Sequence, residues 1–279
     1  MITISLALYN QLPFTKDCIR YLFKNTDPSL FELAIIDNLS TDGTREWLKN
    51  EFAVSKEYQS VKTTIYFNDK NAGFAYAHNQ SAKESENDMF LLNNDTIPLK
   101  GWLEPILSAL KIPGIGVVGS KLLSPKFQGI QHAGVTFLED GRPYHRCLGY
   151  PNDSAEVNKP GYVPAVTGAC FAVKRSLWNE MGGLDQRYWC GWEDIAFCLG
   201  AREKGYRVWY EPRSVLYHFE GETDGRYLKE DANRDLFFKE WREKIALWGN
   251  KNYEDYEKET RLVDRSPKKV EIKNNKVEE

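Results

Sequence analysis

Two asparagines and an aspartate, Asn93-Asn94-Asp95, directly follow the apolar run 89–92. A carboxylate just beyond a buried strand can hold a divalent cation, because Mg²⁺ or Mn²⁺ often uses only one or two protein carboxylates together with substrate phosphates. The same residue types also favour turns, here one that leads to Pro98. The stretch therefore predicts either a cation site for a phosphate-bearing ligand or a simple turn.

Two adjacent acids, Glu193 and Asp194, stand at the start of a predicted helix, after Gly191-Trp192. Acids at a helix start are favoured by the positive end of the helix dipole, which is a sufficient structural explanation. Adjacent helix residues do not share a face. One carboxylate can therefore act as a general base toward a hydroxyl while the other caps or orients the helix.

His218 and Asp37 each end an apolar run. As a neutral imidazole, His218 could complete a Mn²⁺ shell beside Asp95, although a structural histidine is the plainer interpretation. Asp37 could accept hydrogen bonds from a ribose hydroxyl or a base N–H. Alternatively, Asp37 forms a turn into a helix that Thr41 caps. The other three histidines, His132 among them, have weaker cases.

The elements that must position these residues alternate between strands and helices in the first half of the chain. Apolar runs predict strands at 2–8, 31–36, 61–67 and 88–92, and helical spacing predicts helices at 14–24, 41–48 and 75–85. Strands separated by helices imply a parallel sheet, whose ligands bind beyond the carboxyl ends of the strands. The polar pairs Tyr9-Asn10 and Asp37-Asn38 and the Asp95 stretch all follow such strands.

The second half gives a more mixed pattern. It predicts strands at 115–118 and 134–138, a polar loop at 147–159, an apolar run at 163–173, a helix at 193–204, and two short strands, 207–210 and 215–218, around Pro212. An amphipathic helix is predicted at 227–248, with its apolar residues on or near one face: Leu228, Phe237, Trp241, Ile245 and Trp248. After residue 250 the sequence is strongly charged and predicts a frayed or disordered tail.

Composition excludes several functional classes. The 279 residues carry a net charge of −3, so no general attraction to nucleic acid or anionic lipid is expected. Five cysteines without CxxC spacing argue against a zinc site or a disulfide framework and suit a reducing cytoplasm. No signal peptide and no membrane-spanning stretch is recognisable. The absence of GxGxxG, GxxxxGK[ST] and GxSxG disfavours dinucleotide dehydrogenases, P-loop NTPases and serine hydrolases.

Aromatic residues make up 13% of the chain, and such rings serve both cores and sugar or base sites. Their positions in the predicted elements divide them into two groups. Three beside strand runs are expected in the core, namely Phe31, Phe67 and Phe90. Five are expected near the site, namely Tyr9, Phe74, Tyr188, Trp189 and Trp192.

An ordered set of motifs runs through the chain between about residues 2 and 225: Asp37-Asn-x-Ser-Thr-Asp-Gly43, Asn71-x-Gly73-Phe74, Leu91-Leu-Asn-Asn-Asp95-Thr, Thr167-Gly-Ala-Cys170, Gly191-Trp-Glu-Asp194, Gly205-Tyr-Arg-Val208 and His218. Each motif is weak alone, but together they resemble the family-2 inverting glycosyltransferases of the GT-A fold. The likeness is strongest to the bacterial cell-surface polysaccharide branch, which includes rhamnosyltransferase-like members.

That resemblance implies roles for individual residues. Asp194 matches the catalytic base and Glu193 its neighbour. Asn93-Asn94-Asp95 matches the DxD motif, with asparagine in its first position, so Asp95 is the expected metal ligand together with His218. Asp37 matches the acid that contacts the nucleobase. The remaining donor-binding candidates are Tyr9, Asn10, Asn71, Gly73, Asn79, Asn93, Asn94 and Trp192.

The resemblance also implies an α/β fold with a mixed, mainly parallel central sheet flanked by helices. The expected organisation is a GT-A domain at 1–225 with a nucleotide-binding half (1–98) and an acceptor and catalytic half (99–225), then a C-terminal helix at 226–250 and a charged tail at 251–279. The implied reaction moves a sugar from a nucleoside-diphosphate sugar, UDP- or dTDP-linked by preference, to an acceptor hydroxyl with Mn²⁺ or Mg²⁺.

The acceptor is expected to be a saccharide, a lipid-linked saccharide or a glycoconjugate, and a lipid-linked acceptor would bring a cytoplasmic enzyme to the inner membrane surface. Two rival functions stay open. One is a sugar-phosphate nucleotidyltransferase, which would want a glycine-rich loop near the first strand. The other is a non-catalytic module that binds nucleotide sugars or saccharides with the same fold.

Overall fold

The computed structural model describes residues 1–220 and 228–249. In the first half, strands and helices alternate as predicted. The strands are β1 (Ile2–Leu8), β2 (Phe31–Asp37), β3 (Thr63–Phe67) and β4 (Asp88–Asn93), and the helices are α1 (Leu12–Asn25), α2 (Thr44–Trp47) and α3 (Phe74–Ala82). A π-helical turn, Leu48–Phe52, extends α2. Strands β1, β2 and β4 are almost wholly buried, as continuous apolar runs in a covered parallel sheet require.

The second half adds eight strands and four helices to the described part of the chain. The strands are β5 (Thr96–Pro98), β6 (Ile115–Ser124), β7 (Gly129–His132), β8 (Val135–Phe137), β9 (Pro143–His145), β10 (Gly161–Tyr162), β11 (Cys170–Val173) and β12 (Arg207–His218). The helices are α4 (Leu103–Leu110), α5 (Arg175–Met181), α6 (Glu193–Glu203) and α7 (Glu230–Lys244), and a π-helical turn, Ile245–Gly249, follows α7.

One ten-stranded sheet takes strands from both halves, in the order β10-β12-β6-β11-β4-β1-β2-β3, with β5 paired to β12 and β7 to β6. Strands β1 to β4 are parallel, β11 lies antiparallel between β4 and β6, and β12 is parallel to β6. Strands β8 and β9 form a separate hairpin. The sheet is therefore mixed and mainly parallel with flanking helices, which confirms the predicted fold class.

Several predicted elements differ from the structure in their bounds. The two short strands around Pro212 are a single strand, β12, whose pairing to β6 shifts register between Glu211 and Val215. That irregularity accommodates the proline, which cannot donate to the ladder. The apolar run 163–173 is strand only over its last four residues. Helix α7 begins at Glu230, and Leu228 before it is 79% exposed, so its predicted place on the apolar face is wrong.

The predicted cap of α2 is also wrong. Thr41 does not cap the helix; its backbone N–H instead donates to Asn10 Oδ1 at 2.7 Å. The N-cap position is Gly43, and Asp42 before it accepts the backbone N–H of Thr44 at 3.2 Å through Oδ1 and that of Leu12 at 2.8 Å through Oδ2. One carboxylate thus ties the starts of α1 and α2 together.

Buried apolar residues form two clusters, one on each side of the sheet. Phe31 and Phe90 lie in one cluster as predicted, whereas Phe67 is 37% exposed at the end of the edge strand β3. Within residues 1–220 and 228–249, no helix has both the length and the apolar character to cross a membrane. The predicted domain end at 225 and the charged tail lie outside the described residues.

Candidate active site

A cavity opens at the carboxyl edge of the sheet, where β1, β2 and β4 end. The register aligns Leu8 with Asp37 and Ala7 with Asn93, so the residues that follow these strands meet at one edge. Nine predicted site residues line the cavity: Tyr9, Asn71, Gly73, Asn93, Asn94, Asp95, Glu193, Asp194 and His218. The cavity therefore joins the candidate donor residues to the candidate base and metal ligands.

Asp95 and His218 meet although 123 residues separate them in the sequence. Strand β5 pairs antiparallel with the end of β12, which aligns His218 with Thr96, and the Phe219 N–H donates to the Asp95 carbonyl at 3.0 Å. The His218 Nε2 atom lies 3.2 Å from Asp95 Oδ1. Both residues are buried, with 8% of Asp95 and 5% of His218 exposed.

These two residues fit a divalent cation. A carboxylate oxygen and an imidazole nitrogen both suit Mn²⁺, and the fold brings them face to face. Among the residues that the structure describes, no group of three or more histidine, cysteine, aspartate or glutamate side chains is placed to hold a metal ion. Asp95 and His218 would therefore supply two ligands and leave the other positions to a ligand's phosphates and water, an arrangement common for Mg²⁺.

Asp194 is the half-buried acid of the pair at the start of α6, and its carboxylate is held by backbone. Its Oδ2 accepts the N–H of Gly168 at 2.6 Å, and its Oδ1 accepts the N–H of Ile195 at 2.8 Å. Glu193 beside it is 4% exposed. Both acids line the cavity, although as neighbours on a helix they do not share a face. Asp194 lies in the cavity wall with a fixed carboxylate plane.

Gly73 closes one side of the cavity for a packing reason. Its φ is +88°, and a Cβ built on it would lie 2.2 Å from the Trp189 carbonyl oxygen. The next residue, Phe74, donates its N–H to the same oxygen at 2.9 Å. Only glycine allows this approach. The start of α3 is thereby docked onto the segment that leads into Glu193 and Asp194.

The cavity lining also contains Gln131 and Glu220, which the sequence did not single out, and Thr167, Gly168 and Ala169 from the Thr167-Gly-Ala-Cys170 motif. His132 and His145, both weaker candidates from the sequence, line it too, and their Nδ1 atoms are 2.9 Å apart. Burial, followed by the charges of His145, His218 and Arg146, lowers the pKa of His132 well below its usual value. His132 is therefore neutral near pH 7, and the two imidazoles share one proton between their Nδ1 atoms.

Polar residues at the end of β2 form a second group, here called the β2-end cluster: Asn10, Asp37, Asn38, Arg45 and Asn68. The Asp37 carboxylate is fully buried; it accepts the N–H of Ser40 and pairs with the Arg45 guanidinium, which also donates to the Asn68 carbonyl. Asn68 in turn donates to Asn38 Oδ1 at 2.8 Å. Asp37 is thus an internal partner of Arg45 in this conformation, and it does not line the cavity.

Three further donor-binding candidates also lie outside the lining. The side chain of Asn79 makes two hydrogen bonds with the backbone of Leu184: its Nδ2 donates to the carbonyl at 2.7 Å, and its Oδ1 accepts the N–H at 2.8 Å. Asn79 is therefore a structural link. The Trp192 indole donates to Glu230 at 2.8 Å and packs on Phe237. Asn10 accepts from Thr41. Tyr188, expected near the site, is only 1% exposed and belongs to the core.

Comparison with known sequences identifies the family. A sequence model described as "Glycosyl transferase family 2" matches residues 3–181. The match includes β1 to β4, Asp95 and Gly168, whose N–H bonds the Asp194 carboxylate, whereas Asp194 and His218 lie beyond it. Among curated proteins, the O-antigen biosynthesis protein RfbC of Myxococcus xanthus is 25% identical over 232 residues, which cover 80% of this chain and 18% of RfbC. The chain spans 30% or less of the length of RfbC and of two further curated relatives that it matches.

Solved structures share the fold at low sequence identity. A crystal structure of GalNAc-T7 with UDP, GalNAc and Mn²⁺ superposes with a TM-score of 0.66 and 16% identity, covering 94% of this chain and 54% of that one. The mannosyltransferase PcManGT of Pyrobaculum calidifontis, in complex with GDP-Man and Mn²⁺, gives 0.59 and 16%, covering 94% and 73%. Both neighbours carry a nucleotide or nucleotide sugar together with Mn²⁺.

Proposed function

This chain belongs to glycosyl transferase family 2, and from that premise we propose that it is an inverting, metal-dependent glycosyltransferase that moves a sugar from a nucleoside-diphosphate sugar to an acceptor hydroxyl. One observation carries the proposal: a backbone-held carboxylate, Asp194, lines the same cavity as the facing pair Asp95 and His218. A base and a phosphate-directed cation site are the two parts that such a transfer needs.

The proposed chemistry is a single displacement. Asp194 takes the proton of the acceptor hydroxyl as that oxygen forms a bond to the anomeric carbon of the donor sugar. The bond from this carbon to the diphosphate oxygen breaks on the opposite side, and the nucleoside diphosphate leaves with the bonding electrons. Because attack and departure are on opposite faces, the anomeric configuration inverts. The N–H groups of Gly168 and Ile195 keep the carboxylate plane fixed during the reaction.

A single carboxylate base suffices in this scheme. Glycosidases need a second carboxyl group as a general acid for the leaving oxygen. When bound at Asp95 and His218, Mn²⁺ or Mg²⁺ supplies electrostatic stabilisation of the diphosphate charge instead. Glu193 is then not needed as a general acid, and its buried place at the helix start is consistent with an orienting role.

The donor and acceptor follow from the relatives by analogy. GalNAc-T7 is described with UDP and PcManGT with GDP-Man, so both nucleotides are candidates beside dTDP; we favour UDP or dTDP. RfbC is named for O-antigen biosynthesis, which supports a saccharide acceptor in a surface polysaccharide or glycoconjugate. His145 of the β8–β9 hairpin lines the cavity, and we propose residues 141–160 together with helix α7 as the acceptor side.

The test is release of nucleoside diphosphate from a panel of UDP-, dTDP- and GDP-sugars, with and without Mn²⁺, supplied with simple saccharides as acceptors. We expect one donor class to be consumed, and only with the metal. Slow donor hydrolysis would give a signal even with the wrong acceptor. Binding of a nucleoside diphosphate in Mn²⁺, seen by calorimetry, without release from any donor would instead identify the non-catalytic binding module.

A further inference from the structure

A chain of side-chain contacts leads away from His218 on the side opposite Asp95. The Nδ1 atom of His218 lies 2.8 Å from Gln131 Oε1, and Gln131 Nε2 lies 2.7 Å from Glu220 Oε2. Gln131 is only 4% exposed, and Glu220 is half-buried. The contacts join β7 to the end of β12 across 87 and 89 positions in the sequence.

The proton positions in this chain of contacts follow from what each group can do. An ionised carboxylate only accepts hydrogen bonds, so Glu220 requires the NH₂ end of the Gln131 amide. The carbonyl end of that amide must then face His218, and it accepts a hydrogen bond from Nδ1–H. A neutral imidazole with its proton on Nδ1 carries a lone pair on Nε2. That lone pair is directed toward Asp95 Oδ1, 3.2 Å away.

Two electron-pair donors that face each other in a buried site need a positive charge, from a proton or from a metal cation that both contact. We propose that Gln131 and Glu220 are positioning residues for this cation: they hold His218 in the Nδ1–H tautomer and orientation that makes Nε2 a metal ligand. The inference rests on the proposed function only for the presence of a metal, not for sugar transfer. It assigns roles to two residues that neither the sequence motifs nor the family match singles out.

The backbone around Glu220 is built to deliver this side chain. Glu220 has a φ of +46°, a conformation that is costly for a residue with a side chain. Lys126 Nζ donates to the Glu220 carbonyl at 2.7 Å, and the preceding Phe219 N–H bonds to the Asp95 carbonyl. The turn after β12 is therefore pinned on both sides, and Glu220 reaches back to Gln131.

The experiment measures Mn²⁺ affinity of the full chain by electron paramagnetic resonance of the free ion, alone and with UDP, dTDP or GDP. Gln131→Leu keeps the side-chain volume but removes the acceptor for Nδ1–H. We expect a loss of affinity of about 10- to 100-fold, the usual effect of removing an outer partner of a metal ligand. Gln59→Leu, the same change at an exposed position, is the control and should bind Mn²⁺ as the wild type does.

A polarity swap separates positioning from mere packing. Gln131→Glu sets two carboxylates against each other and should weaken Mn²⁺ binding, while Gln131→Glu combined with Glu220→Gln restores one acceptor for His218 and one donor for residue 131. We expect the double variant to return to within about threefold of the wild type. A double variant as weak as Gln131→Glu alone overturns the proposal.

Two other results also overturn it: Mn²⁺ affinity of Gln131→Leu equal to that of the wild type, with the variant shown to be folded by circular dichroism, or no Mn²⁺ binding by the wild type under any of these conditions. The outcome is independent of transfer. If the wild type turns over no donor, but Mn²⁺ affinity is lost in Gln131→Glu and recovered in the double variant, only the proposed function is wrong. If turnover is normal but the double variant does not recover Mn²⁺ affinity, only this inference is wrong.

Discussion

Two polar groups lie at the same edge of the sheet and differ in how their hydrogen bonds are used. In the β2-end cluster, the charged pair Asp37 and Arg45 is closed off by Ser40 and Asn68. The second group, the cavity cluster, comprises Asp95, Gln131, Asp194, His218 and Glu220. Its members all line the cavity, and the Asp95 and His218 side chains converge on one point.

The difference separates stability from function. Buried polar groups that satisfy one another stabilise the edge of the sheet, and of the β2-end cluster only Asn38 also lines the cavity. Carboxylates and imidazoles that face a cavity cost stability and persist where they do chemistry. Both groups follow strand ends and contain acids, so position in the sheet alone does not distinguish them. We therefore expect substitutions in the first group to change unfolding and those in the second to change binding and turnover.

The largest effect is expected at Asp194. Asp194→Asn keeps the side-chain shape and one of the two oxygens that accept backbone N–H groups but removes the base, so sugar transfer should fall by ~10²–10⁴-fold. Donor binding should stay near wild type, and the one lost hydrogen bond should lower the free energy of unfolding by only about 1 kcal/mol. Rates from single-donor assays, together with calorimetry of donor binding, measure the two separately.

The matched control for this change is Asp231→Asn, the same substitution at the start of α7, where the side chain is 84% exposed. It should leave the rate unchanged. If Asp194→Asn transfers sugar at a rate within a few-fold of the wild type, Asp194 is not the base. The cavity cluster would then not differ from the β2-end cluster in its role in turnover.

The next effect is on stability, in the β2-end cluster. Arg45→Met leaves the fully buried Asp37 carboxylate without its guanidinium partner and should lower the free energy of unfolding by about 3 kcal/mol, as measured by urea denaturation. Adding Asp37→Asn should recover part of the loss, because no charge then remains buried. If Arg45→Met unfolds normally but loses nucleotide binding, this cluster is part of the donor site after all.

A smaller effect is expected for the metal. Asp95→Asn preserves shape but removes one of the two proposed ligands, so Mn²⁺-dependent affinity for a nucleoside diphosphate should fall by at least about tenfold. Nucleotide binding measured without Mn²⁺ should not change. Equal calorimetric titrations of wild type and variant in Mn²⁺ would show that the Asp95 and His218 pair has a structural role, like the β2-end cluster, and does not bind the metal.

The same contrast explains what the sequence could predict. Local apolar runs predict the parallel strands β1 to β4. The positions of the acids directly at the ends of these runs are enough to predict that they lie at the edge of the sheet. Asp37 was correctly placed at the end of β2, but its pairing with Arg45 was not predicted, since an aspartate that faces a ligand and one that faces an arginine have the same pattern. Motif order, rather than periodicity, pointed to Asp194 and His218.

The residues that were missed owe their place to long-range pairing. Gln131 enters the cavity because β7 folds back on β6, and Glu220 because β12 pairs with β5. Neither residue carries a periodic or compositional signal, and 89 positions separate them. Pro212 misled the strand prediction for the same reason: only the partner strand shows that β12 continues past it with a shift of register. Topology, which local patterns do not encode, decides these positions.

At neutral pH the smallest effect concerns His78, which belongs to neither cluster and lies buried with its Nδ1 2.7 Å from Ser5 Oγ of β1. Burial lowers its pKa from 6.5 to about 3. Below pH 6.5 the unfolded chain therefore binds a proton at His78 that the folded chain does not bind. The free energy of unfolding then falls with decreasing pH, by up to about 1.4 kcal/mol per pH unit. His78→Gln should flatten that slope in urea titrations between about pH 6.5 and 4.5. An unchanged slope would assign the acid sensitivity to buried His132 instead, and with it to the cavity wall.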